Sequence, residues 1–212
     1  KRKEILQKIV ELDCEYLLRD GSVKKGDIGF VVYKCGGEVI DEYPFFNYLN
    51  ESVTKTIEKY NYTMTMMYLD KNMPLNERYL ALENFRYAGY IVYAVEMYPE
   101  DAEVFLKLNV SCVFIDNPFP SLAVDTVVVD NYLGIYQGFE YLYEMGHREI
   151  GYIKSRFSIA CFDERQQAFQ DCMMRRGLEC REDYVMKVGY MEDETEKDVE
   201  KYLDSHKNLP TA

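Results

Sequence analysis

The sequence predicts an α/β fold built from two parallel-sheet units, the second of them incomplete. Three observations carry that expectation. Short, nearly continuous apolar runs alternate with longer amphipathic ones, the rhythm of strands joined by crossover helices. The rhythm pauses across a proline-bearing stretch, "NPFPSLAVDTVVVDN" (117–131), and then restarts. After the restart it yields fewer repeats than before, and it reaches "NLPTA" where a further strand is due.

Each element has its own signature. "KRKEILQKIVEL" (1–12) sets Ile5, Leu6, Ile9 and Leu12 at helical spacing, and the polar "RDGSVKKGD" (19–27) follows as a linker. "IGFVVY" (28–33) reads as a buried strand, and "PFFNYLNESVTKTIEKYN" (44–61) as a helix with Phe46, Leu49, Val53 and Ile57 on one face. Strand 62–69, helix 76–88 and strand 89–95 come next. "PEDAEVFLKL" (99–108) opens on proline with acids in its first turns, a strong helix start, before strand 110–116. Within the pause, Val127–Val129 reads as a short strand. Beyond it are helix 131–145, strand 149–153, helix 163–176, strand 184–188 and helix 193–206.

Composition excludes several classes. A net charge of −12 disfavours a broad grip on nucleic acid, which needs a basic face. No apolar run approaches the roughly 20 residues that cross a bilayer, so no membrane role is expected. The six cysteines (Cys14, Cys35, Cys112, Cys161, Cys172, Cys180) form no CxxC pair and have no histidines at metal spacing. They read as reduced thiols of a cytoplasmic protein. There is no nucleophile–base pair and no dinucleotide fingerprint, and "CGGE" (35–38) lacks the phosphate-loop pattern. An enzyme is therefore not expected, nor a cofactor or metal.

"GHREIGYI" (146–153) is explained by local structure: a glycine beyond a helix end, two cations beside the negative helix terminus, then a strand. The longer string around it is more specific. "VDNYLGIYQGFEYLYEMGHREIGYI", with "ERQQAF" and "RRGL" after it, resembles the LacI/GalR family of bacterial transcription regulators. The match rests on Val129, Asp130, Asn131, Gly134, Leu142, Gly146, His147, Arg148, Ile150, Ile153, Arg165, Phe169 and Gly177, while Ala168 replaces the usual glycine. "IGFVVY" and "VSCVFIDNPFP" resemble the family's first strand and its strand ending in an aspartate, and "LPTA" resembles the "PTA" that leads into its next strand, so the likeness covers about 28–212.

The resemblance implies Rossmann-like subdomains of periplasmic-binding-protein type I, over 28–117 and, incomplete, over 118–212. Residues 1–27 would be either the last helix of a helix-turn-helix domain with its hinge or a plain dimerising helix; the family's Pro-Asn hinge pair is missing from "DCEYLLRDGSVKKGD". It further implies a homodimer that binds a small effector, often a sugar or nucleobase, between the subdomains. Operator DNA would be reached only through a helix-turn-helix absent from this chain. The rival expectation is an extracytoplasmic solute-binding protein of a sugar transporter.

Ligands of parallel sheets bind beyond the carboxyl ends of strands. That rule selects Tyr33 and Lys34 after the first strand, Phe45 at the next helix start (with Phe46 as core), and Glu96 with Met97 after the third strand. Asp116 ends an apolar strand, a costly place for an unpaired carboxylate, and the family has an effector-contacting aspartate there. Arg165 opposes the dipole of its helix, so stability alone does not choose it; the matching family arginine donates to the effector. Ile159 and Cys161 lie in the loop before that helix.

Overall fold

In a computed structural model, residues 8, 24–36, 44–83, 86–189 and 191–212 are described. Apart from Lys8, the helix expected over 1–12 lies outside them, as does most of the linker at 19–27. The first lobe runs β1 (Asp27–Lys34), α1 (Pro44–Lys59), β2 (Thr63–Asp70), α2 (Leu75–Glu83), β3 (Gly89–Tyr93), α3 (Pro99–Leu106), β4 (Ser111–Ile115) and β5 (Asp125–Val127). Its five strands are all parallel, in the order β2-β1-β3-β4-β5. The second lobe contains α4 (Asn131–Glu144), β6 (Tyr152–Ser155), α5 (Ala160–Arg175), β7 (Val185–Val188) and α6 (Glu192–Ser205), with β6 parallel to β7.

Residues 118–127 depart from the expected boundary at 117/118. They stay with the first lobe, because β5 pairs with β4 in the register Phe114↔Thr126 and Phe119 is buried against Phe114. The chain changes lobes after Val127. Helix α5 also begins earlier than expected, at Ala160: Ile159 is extended and its carbonyl accepts from the amides of Phe162 and Asp163. No polar cap announces that start, so Asp163 was the first visible signal. The strand expected at 149–153 begins at Tyr152, because Glu149 and Gly151 bond the tail instead, Thr211 N to Glu149 O and Gly151 N to Ala212 O, both 2.7 Å.

Residues 30–33 of β1 are fully buried because helices cover both faces of the sheet. Val31 and Tyr33 face a core shared with Leu82, Ala102 and Phe105 of α2 and α3. Phe30 and Val32 face the other side, against Phe46, Leu49 and Val53 of α1. Tyr87, Tyr90, Phe105, Phe114 and Phe119 form an edge-to-face chain with ring centroids 5.2–6.3 Å apart. Gly29 makes room for it: a Cβ there would stand 2.6 Å from the Tyr90 ring, whose hydroxyl is tied to Leu82 O. In the same core the Arg78 guanidinium donates to Asp101 (2.8 Å) and to the Tyr33 hydroxyl (3.0 Å), joining α2, α3 and β1.

The corner at 146–148 is built as its residue types suggest. Gly146 has φ +97°, the His147 amide donates to Leu142 O, and Arg148 donates to Tyr143 O at 2.8 Å while lying 3.8 Å from the Tyr143 ring centroid. Against these helices Phe139, Ile150, Phe169, Cys172 and Met173 form the second lobe's core.

Two stability outcomes follow from the first core. Gly29→Ala overpacks the Tyr90 site and lowers unfolding free energy by about 1–3 kcal/mol in urea denaturation. Arg78→Ala strands a buried carboxylate and costs about 3–5 kcal/mol, whereas the double change Arg78→Met with Asp101→Leu recovers most of that loss.

Candidate effector cleft

The carboxyl ends of β1, β3 and β4 and the loop between β6 and α5 meet where the lobes face each other. Ile159, Cys161 and Phe162 pack against a patch of the first lobe that includes Phe30, Val32, Tyr93 and Val95. Beyond this seam lies a cavity of about 350 Å³, bounded by 95–99 and 117–120 on one side and by 158–160, Asp163 and Glu164 on the other. A second space of about 270 Å³ shares Glu96, Tyr98, Ser158 and Ile159 with it and extends towards Cys35 and Arg156. A depression of about 410 Å³ near the amino ends of β4 and β5 is confined to the first lobe, so no motion between lobes would act on it.

The first wall is held by Asn117, which sequence reasoning overlooked. Its buried side-chain amide donates to Ala94 O (3.2 Å) and Met97 O (2.7 Å), clamping the loop after β4 to the loop after β3. The residues flanking it are in left-handed conformations, Asp116 at φ +68° and Phe119 at φ +40°. Such backbone is sparsely populated for non-glycine residues and persists where surroundings enforce it. Here the Asp116 amide bonds Val127 O and Phe119 is sunk in the core. The Asn-Pro pair was the one available signal, since it marks a turn.

Some of the expected ligand residues converge and others do not. Glu96 lines both spaces, nearly buried, its carboxylate accepting from the Cys35 amide at 2.7 Å. Ile159 also lines both, and Met97 lines the larger. Asp116, Cys161 and Arg165 form an electrostatic group beside the seam. Burial pushes the Asp116 carboxyl above its ordinary value, the Arg165 guanidinium opposes that rise, and Glu164 adds to it. Burial, with Asp116 next, pushes the Cys161 thiol up to about 11, which leaves it a packing residue rather than a nucleophile. Arg165 donates from Nε to Asn131 Oδ1 at 2.7 Å, and the Asn131 amide donates to Glu164 at 2.7 Å. Asp163, its other acidic neighbour, accepts from Ser158 instead.

Tyr33, Lys34 and Phe45 are set apart from the cavity. Strand alternation turns Tyr33 into the core behind the sheet, where burial and Asp101 raise its hydroxyl pKa. Lys34 lies over the Tyr68 ring of the neighbouring strand, 5.0 Å from its centroid. Phe45 is exposed at the start of α1 and touches neither space, whereas Phe46 stacks on Phe30 as a core residue. Ser158 and Arg156 were missed as well; a single serine or arginine at a strand end carries no distinguishing pattern.

Two parallel-sheet lobes with a cavity between the carboxyl ends of their strands define a bilobal ligand-binding protein. The profile described as periplasmic binding proteins and the sugar-binding domain of the LacI family matches residues 25–212, and the chain belongs to that family. It is 27% identical over 175 residues to the transcriptional repressor PurR of Serratia proteamaculans, spanning 81% of this chain and 51% of that protein. To the regulator DegA of Bacillus subtilis it is 22% identical over 173 residues, spanning 80% and 51%. The chain thus spans about half the length of these curated relatives. Its fold superposes with TM-score 0.76 on the crystal structure of a regulator from Yersinia pestis biovar Microtus, at 16% identity and covering 87% of this chain and 65% of that one.

The raised Asp116 pKa has a measurable sign. The folded chain holds that proton more tightly than the unfolded chain, so stability from this group is full below 3.8 and falls as pH rises through the raised value. Asp116→Asn therefore melts higher than the parent at neutral pH. The difference closes as pH is lowered towards 3.8, as read by thermal melts across pH.

Proposed function

We propose that this chain is the effector-sensing region of a LacI-type transcription regulator. A small polar metabolite, a sugar or a close relative of one, binds between the lobes and changes the angle at which they meet. In a cytoplasmic homodimer that change alters the spacing of two helix-turn-helix heads, which alone read the operator. The observation that carries the reading is the 350 Å³ cavity walled by both lobes, because a ligand there touches two bodies whose relation it can alter. The named relatives are regulators of transcription, which supports a regulator over a transport component. Coupling of this kind requires about 1–3 kcal/mol of differential binding between the two lobe arrangements.

The test is a thermal-shift and calorimetric screen of sugars, nucleosides and amino acids. One class is expected to raise the melting temperature in a concentration-dependent way. Arg165 lines neither space and reaches a ligand only by turning away from Asn131; with that turn, Arg165→Ala is expected to weaken the ligand by about 10–100-fold, the loss of roughly 1.5–3 kcal/mol for a charge-assisted hydrogen bond. It should leave the unliganded melt within about 2 °C of the parent, as its partner Asn131 is neutral. A response untouched by Arg165→Ala would place the effector elsewhere.

A further inference from the structure

We infer that His147 is the register lock of the second lobe: its ring donates from Nδ1 to Thr211 and so holds residues 209–212 along the edge of β6 opposite β7. The inference goes beyond effector sensing and does not depend on it.

Beside the negative end of α4 any cation would serve the corner, and Arg148 fills that role. Its Nη1 donates to Tyr143 O and to His147 O, both at 2.8 Å. His147 does something else. Its backbone is fixed at both ends, the amide on Leu142 O and the carbonyl under Arg148. Its half-buried ring then reaches a residue 64 positions further along the chain, with Nδ1 3.0 Å from Thr211 Oγ1.

One hydrogen sets the direction of this bond. The Thr211 hydroxyl has a single proton to give, and it donates to Glu149 O at 3.1 Å. The same carbonyl accepts from the Thr211 amide at 2.7 Å. With its proton engaged, the hydroxyl oxygen accepts, so the ring donates from Nδ1.

Strand alternation places the segment. The Arg156 amide bonds Val188 O of β7, so the backbone groups of even-numbered residues in this stretch turn towards β7. Glu149 and Gly151 therefore face the other edge, where Glu149 O meets Thr211 N and Gly151 N meets Ala212 O. The two segments rise together, as in a parallel ladder. A second pin fixes their level. A Cβ on Gly151 would stand 2.8 Å from the Pro210 ring and 3.1 Å from Tyr184 O, so Pro210 seats on the bare glycine. Glu149 is itself moored, its Oε1 accepting from the Tyr184 hydroxyl at 3.2 Å. A slip of one residue would part His147 from Thr211 and Gly151 from Pro210. The docked segment also covers backbone groups that could otherwise pair with another chain.

Amide hydrogen exchange of the full chain reads the lock at positions 151 and 211. His147→Gln carries its amide where Nε2 was, and is expected to speed exchange at both by at least about tenfold while β7 exchanges as in the parent. His147→Asn puts a donor where Nδ1 was, and should stay within about threefold of the parent. Thr211→Val should match His147→Gln, and the two combined should be no faster than either alone. Nitrogen-15 spectra of the neutral ring should show its hydrogen on Nδ1. If His147→Gln fails to fold, Thr211→Val, at an exposed side chain, carries the same comparison with the parent. A corner that needs His147 only against the helix dipole gives the opposite pattern, with Asn and Gln equivalent and Thr211→Val silent. That pattern, a hydrogen found on Nε2 alone, or an unprotected Thr211 amide in the parent would each overturn the assignment.

Discussion

The architecture depends on the apolar seam where the start of α5 meets the carboxyl ends of β1 and β3. Cys161, Ile159 and Phe162 come from one lobe and Phe30, Val32, Tyr93 and Val95 from the other. Full burial of one such large side chain is worth about 1.5–3 kcal/mol. A seam to which the second lobe brings only buried Cys161 and the partly buried Ile159 and Phe162 is therefore strong enough to dock the lobes. It is also within range of a ligand, since micromolar binding releases about 8 kcal/mol. Were the seam as extensive as either core, no small molecule could reset the angle between lobes.

A cleft is useful only if its walls keep their shape while the lobes move. On the first wall this falls to Asn117, whose amide ties two loops that would otherwise be independent. The neighbouring left-handed residues, Asp116 and Phe119, store strain that the core offsets by burying the Phe119 ring. On the second wall the Arg156–Asp198 pair links the loop after β6 to α6. Each wall is thus fixed from within its own lobe.

The fold was largely legible because strand and helix periods are written in every segment and the corner at Gly146 has a residue type for each task. The boundary at 117/118 was not. Prolines mark a turn, but whether a short strand returns to the same sheet depends on pairing with β4, a long-range fact. The cleft was half legible. The rule of strand carboxyl ends selects Glu96 and the loop holding Ile159, both of which line the spaces between the lobes, whereas Asp116 and Arg165, selected by the resemblance, stand beside the seam and line neither. Yet alternation along β1 decides that Tyr33 points into the core, and a rule about strand ends does not say which face a side chain takes. Asn117 and Arg156 act through bonds to distant backbone and to Asp198, which no local pattern encodes.

The partner of Arg165 shows how such a site can stay responsive. An arginine near the start of a helix opposes the helix dipole and would be steadied most firmly by a carboxylate. Here it is held by the neutral amide of Asn131, which gives its own hydrogens to Glu164. A neutral acceptor costs less to leave than an ion pair. Asn131 is also the first residue of α4, capped by Asp130 where the chain enters the second lobe. Arg165 cannot turn towards a ligand without releasing the residue that sets this entry. On the proposed reading, recognition in the cleft and the geometry of the crossing are joined through one asparagine.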